Sequence, residues 1–280
     1  MKNLYILCLA LCAMVFFTAC DENSPEIPCL SCGNNNGGPV APDAKKVIIE
    51  EFTGVRCVAC PGGSKAIEDL LDIHGDRLVA ISMHAGDFSP PMPSSTYDFR
   101  TADGDQLLDF LGSPDGYPSA VINRNKFGES ILQKGQNKWN NFITQSLEGP
   151  AKVNIDLDKS YDSGTRVLSI TVKIKANETL DGNYNYSVLI TENGIVDAQL
   201  DADQGLISDY THKHVLRDVL TKADGDPITE SLTEGAVIEK SLSYTLPNDW
   251  VAGKCTAIVL VSDAGTTKEV LQVEQTKIAN

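Results

Sequence analysis

"EEFTGVRCVACPGGSKAIEDLLDIHG", residues 50–75, decides how this chain is read. Two cysteines, Cys57 and Cys60, stand where an apolar run stops and a helical pattern begins. Upstream, "KVIIEEF" (46–52) is apolar and rich in β-branched residues, as a buried central strand requires. Thr53-Gly54 ends it. Downstream, Pro61 suits the first turn of a helix, where its missing N–H costs nothing. Ala66, Ile67, Leu70 and Leu71 then repeat at helical spacing. Gly75 is a natural stop, and His74 suits the negative end of the helix dipole. The stretch predicts a strand, a dithiol and a helix in that order.

The pattern continues outward. "RLVAISMH" (77–84) predicts a second strand, residues 86–105 a long polar insertion, and "QLLDFLG" (106–112) a short helix. "YPSAVINR" (117–124) predicts a third strand that opens on a proline. Trp139, Phe142, Ile143 and Leu147 put one apolar stripe on a closing helix. Alternating strands and helices over 46–148 argue for a three-layer α/β domain. From Gly149-Pro150 the period becomes two. "AKVNIDLD", "VLSITVKIKA", "YNYSVLITE", "AVIEKSLSYTL", "CTAIVLVS" and "EVLQVEQTKI" are strand-like runs split by turns, which predicts an all-β sandwich of immunoglobulin-like size over 149–280. "DYTHKHVLRDVL" (209–220), taken as a strand, places His212 and His214 on one face.

These residues resemble the thioredoxin fold. Cys57 and Cys60 match its dithiol, Tyr117-Pro118 matches the cis-proline that faces it, and Glu51 matches its buried acid. More narrowly, "EEFTG", "HAGDF" and "HKHVLRD" resemble the Bacteroidetes outer-membrane lipoproteins related to the 28 kDa outer membrane protein, which join a thioredoxin-like domain to a β-rich one. The resemblance covers residues 46–280. This chain departs from the thioredoxin pattern at Arg56, where a Trp is usual, and carries Val58-Ala59 between its cysteines.

The resemblance implies thiol–disulfide exchange on protein thiols or disulfides, with no diffusible cofactor. Cys57 would attack, Cys60 resolve, Glu51 move protons and Pro118 orient a peptide. The reacting species is a thiolate, which a helix N-terminus and a nearby cation such as Arg56 favour. A structural disulfide on a non-catalytic scaffold, serving an envelope partner, is the competing reading. A zinc site would need Cys29 and Cys32 beside Cys57 and Cys60. The 24 residues between Cys32 and Cys57 exceed the usual ribbon spacing. Cys29 and Cys32 are also read as an auxiliary dithiol, within a linker reach of roughly 25–30 Å of the first. His84, at the end of the second strand, is read as a packing or surface residue, and Cys255 as a small buried apolar one.

The first 19 residues, with Lys2 and the apolar run Leu4–Phe17, read as a secretory signal. "FTAC" resembles a lipobox, cleaved before an acylated Cys20, which predicts an outer-membrane lipoprotein held by its acyl chains in the bilayer. Residues 20–45 are rich in Pro, Gly and Asn and read as a tether. The 280-residue chain carries 23 Lys+Arg against 38 Asp+Glu. That balance argues against nucleic acid as a partner, which needs clustered cations.

Overall fold

The computed structural model describes residues 44–279. β1 (Val47–Thr53) is buried at every position, so it lies inside a sheet covered on both faces. β2 (Leu78–His84), equally buried, pairs with it in parallel through the crossover helix α1 (Cys60–His74). β3 (Ser119–Ile122) runs antiparallel to β1 on its other side, and the short β4 (Leu132–Gln133) follows β3. One face is covered by α1 and α3 (Trp139–Ser146), whose Ile67, Leu70, Trp139 and Ile143 pack on Val47, Ile49, Leu78 and Ile122. The other is covered by α2 (Ala102–Leu111), whose Leu107 and Leu111 pack with Ile48, Phe52 and Val121. The order β2-β1-β3-β4, with helices on both faces, is the thioredoxin-like arrangement. α2 begins four residues before the expected start. The Thr101 side chain accepts the Gly104 N–H at 2.9 Å, a cap lying upstream of the apolar run.

In the second half, β5 (Val153–Asp162), β6 (Val167–Ala176) and β12 (Val237–Thr245) form an antiparallel sheet in the order β12-β6-β5. It packs against β7 (Tyr184–Glu192), β13 (Cys255–Asp263) and β14 (Val270–Lys277), with Ile155, Val172, Ile174, Val188, Ile190 and Val259 in the core between. Two sheets therefore face one another over 149–280. The larger sheet is not confined to that half. β10 (Val215–Val219) pairs antiparallel with β7 and, at Val215, in parallel with Ser82 of β2. The sheet runs without a break as β14-β13-β7-β10-β2-β1-β3-β4, with β11 (Asp226–Ile228) added to β7. The physical reason is the edge of β2. Its unpaired backbone groups need partners, and the Ser82 N–H finds the His214 carbonyl at 2.7 Å.

The sheet also curls back on itself. Asn123 Nδ2 donates to the Val270 carbonyl (2.8 Å), and the Val270 N–H donates to the Asn123 carbonyl (3.1 Å). Leu189, Leu216, Ile258 and Leu260 consequently share one core with Ile48, Phe52 and Met83. β8 (Ile195–Asp201) and β9 (Gly205–His212) stand apart as a two-stranded hairpin.

Candidate functional site

Cys57 and Cys60 form a disulfide with their Cα atoms 5.4 Å apart. The helix starts at the second cysteine, so Cys57 lies just outside it. Its N–H donates to the Gly54 carbonyl (3.0 Å), and its carbonyl accepts the Cys60 N–H (3.2 Å). Cys57 is 3% exposed and Cys60 1%, whereas Val58 between them is 49% exposed. Both cysteines are therefore buried, Cys60 slightly the more so.

Glu51 lies on the α1 face of β1 and is fully buried. Ser82 Oγ donates to its Oε2 at 3.2 Å. Its Oε1 has no hydrogen-bond partner among the described residues. That oxygen faces the first turn of α1: a side chain on Gly63 would collide with it and with Pro118 Cγ at 2.8 Å. Burial pushes the carboxyl up to about 8, with the Ser82 bond opposing it. Glu51 is therefore a carboxylic acid at neutral pH. The Tyr117–Pro118 peptide is cis, and Pro118 packs against Gly63 in the first turn of α1. The Tyr117 hydroxyl donates to the Ala85 carbonyl (2.9 Å).

Arg56 is exposed, and its guanidinium donates to the carbonyls of Pro90 (2.8 Å) and Pro91 (2.6 Å). It ties the 86–101 loop to the dithiol turn. The hairpin braces that turn from the other side. The Leu200 N–H donates to Val55 (2.9 Å), the Ala202 N–H to Val58 (3.0 Å), and Gln199 Nε2 to the Cys57 carbonyl (3.0 Å). The Asp197 carboxylate accepts the N–H groups of Thr96 (2.8 Å) and Tyr97 (2.9 Å), which joins hairpin to loop.

His212 and His214 do not share a strand face. His214 adopts a left-handed backbone (φ 54°) that breaks the segment between β9 and β10. His214 Nε2 donates to Glu68 Oε1 at 2.9 Å, which with Lys213 holds the Glu68 carboxyl down near 2. His212 turns inward, its ring 5.5 Å from His84 and 4.6 Å from Phe99. Burial lowers His212 to about 4 and His84 well below the usual histidine range. Cys255 sits in the sandwich core, where burial pushes its thiol to about 12 and makes it inert at neutral pH.

The fold thus gathers Cys57, Cys60, Glu51 and Pro118 around the start of α1, with Arg56 at the rim. Cys20, Cys29 and Cys32, together with the signal segment, lie outside the described residues. Sequence reasoning missed Gly63, Ser82 and Gln199. Gly63 had a local signal, because a glycine one turn into a helix marks a close approach. Ser82 and Gln199 had none; tertiary packing alone brings them to the site.

The sequence pattern of the family described as "Outer membrane protein Omp28" matches residues 107–280, well over half of the chain but not the dithiol. No curated protein matches. Among solved structures, HBP35 of Porphyromonas gingivalis superposes with a TM-score of 0.67 at 18% identity, over 84% of this chain and 76% of that one. A protein of Agrobacterium tumefaciens gives 0.50 at 17% identity, over 86% and 97%. At those identities the likeness concerns the fold. A domain of the outer membrane lipoprotein Omp28 from Porphyromonas gingivalis, 22% identical over 46% of this chain and 89% of that one, gives 0.32, too low to bear on the fold.

Proposed function

This chain belongs to the Omp28 outer membrane protein family, and on that premise we propose a lipid-anchored envelope protein that exchanges thiols and disulfides with protein substrates. Acylation at Cys20 supplies the anchor. The observation that carries the dithiol reading is Glu51. A carboxyl buried under the first turn of α1, with one oxygen unpartnered, weakens the fold. A merely structural disulfide gains nothing from it. A redox disulfide does, because its buried cysteine must gain a proton each time the bond opens.

In this reading a substrate thiolate attacks the Cys57 sulfur and the bond to Cys60 breaks. Cys60 leaves as a thiolate and takes the Glu51 proton. A second substrate thiolate then attacks the mixed disulfide and expels Cys57 as a thiolate. The substrate gains a disulfide, and two electrons pass to the protein as a dithiol. In reverse, Cys60 returns its proton to Glu51 as it closes on Cys57. Pro118, which has no N–H, backs the incoming peptide. Arg56 adds positive charge at the rim while its hydrogen bonds hold the loop.

A second reading has its own support. The low exposure of both cysteines, and the hairpin bonded along their turn, suit a structural disulfide on a binding scaffold. Insulin reduction separates the two. Catalytic turnover that falls on the order of 100-fold in Glu51→Gln supports exchange. A bond that resists mild dithiols, with no turnover, supports the scaffold.

A further inference from the structure

Once Cys60 has taken its proton, Glu51 is left a buried carboxylate, and on the dithiol side only Cys60 can return that proton. There Oε1 faces Gly63 and Pro118, both buried. The other oxygen points elsewhere. Oε2 accepts from Ser82 Oγ at 3.2 Å, and Ser82 also lines a cavity of 300 Å³ between α1 and the β9–β10 turn. Pro61, Ser64, Glu68, Tyr210 and His214 form its walls. That volume accommodates several waters. The charged side chains around it are already matched. Glu68 is paired with Lys213 and His214, and Lys65 with Asp69. Tyr210, whose hydroxyl is held by burial above the usual phenol range, is the remaining titratable group of the cavity wall among the described residues. Glu50 points to the opposite face of β1 and is paired with Arg124.

We infer that Ser82 is a positioning residue through which Glu51 trades protons with water in this cavity, an inference that rests on the thiol–disulfide reading above. Its hydroxyl does both halves of the transfer. It passes its hydrogen to one neighbour as its oxygen takes a hydrogen from the other, so Ser82 is unchanged and one proton moves between Glu51 and water. A hydroxyl suits the position because it both donates and accepts. An ammonium or guanidinium there would donate only, and its charge would hold Glu51 ionised.

The test uses Ser82→Ala, Ser82→Thr, Ser64→Phe and Glu51→Gln in the full chain. One readout is the pH–rate profile of exchange with a peptide disulfide. The other is direct titration of the Glu51 carboxyl by isotope-edited infrared spectroscopy. Ser82→Ala is expected to move the Glu51 titration upward, because the lost bond lowered it, and to slow exchange about tenfold. Ser82→Thr restores both. Ser64→Phe narrows the cavity and slows exchange with the Ser82 bond intact. An unchanged rate in Ser82→Ala or in Ser64→Phe overturns the inference, provided Glu51→Gln still reshapes the profile. If Glu51→Gln leaves the profile unaltered, the thiol–disulfide reading itself has failed.

Discussion

Glu50 and Glu51 are neighbours on one strand, both fully buried, and the fold treats them in opposite ways. Glu50 faces the α2 side. It accepts from Arg124 through both oxygens, from Nε at 3.0 Å and Nη2 at 2.9 Å, and Arg124 lies over the Phe110 ring. Glu51 faces the α1 side and, among the described residues, has one weak hydroxyl donor and no cation partner. The same residue type at the same burial is a structural ion pair on one face and a proton store on the other. Strand alternation alone separates them. Burial of a carboxyl therefore says little until its partner is known: a bidentate guanidinium keeps the charge, and its absence removes it.

The comparison can be broken most severely at Glu50. Glu50→Ala or Arg124→Ala leaves the other charge buried and alone, and is expected to cost about 3–5 kcal/mol by denaturant unfolding. Exchange of the pair for two well-packed apolar residues should restore most of that loss. A single substitution that costs under 1 kcal/mol would mean the pair is not the buried contact described.

Glu51→Gln is expected to act in the opposite direction. The unfolded carboxyl ionises near its ordinary value of 4.5, whereas the folded one holds its proton to about 8. Between those values the native state binds more protons, so stability falls as pH rises. The amide removes that penalty and should stabilise the protein by about 3 kcal/mol at pH 7, with little effect at pH 4. Stability curves of both proteins at the two pH values check the sign. A protein stabilised at neutral pH but slowed in exchange is the signature of a residue kept for chemistry.

The smallest expected effect concerns groups that burial keeps neutral by denying them a proton rather than by holding one. His84 and His212 are both held below their ordinary range, so the unfolded state takes up protons first as pH falls. Stability is intact above about 6.5 and declines below it. At pH 5 His212, lowered to about 4, should cost about 2 kcal/mol, and His84 adds a loss of the same sign. His212→Phe is expected to flatten the acid limb by that amount, as thermal melts from pH 7 to pH 5 would record. Acid loss that persists at full size in the variant would assign it to other groups.

Much of the fold was legible because its signals are local. The apolar runs of β1 and β2, the helical repeat after Cys60 and the alternation of β5, β6, β13 and β14 are properties of neighbouring residues. What misled lay in single backbone angles and distant partners. "DYTHKHVLRDVL" reads as one strand, but left-handed His214 splits it and sends His212 and His214 to different places. The hairpin 195–212 carries ordinary alternation, and nothing in it announces that its residues 199–202 lie along the dithiol turn.

The sequence by itself determined the strand–dithiol–helix start, the acid six residues before Cys57 and the change of period at Gly149, because each is written in spacing over a few residues. Tertiary structure alone decided that the two halves share a single curled sheet, that Arg124 reaches Glu50 across 74 residues, and that Ser82 rather than a cation meets Glu51. Those outcomes depend on which edges pair and which side chains meet in the low-dielectric interior, and no local pattern encodes that meeting.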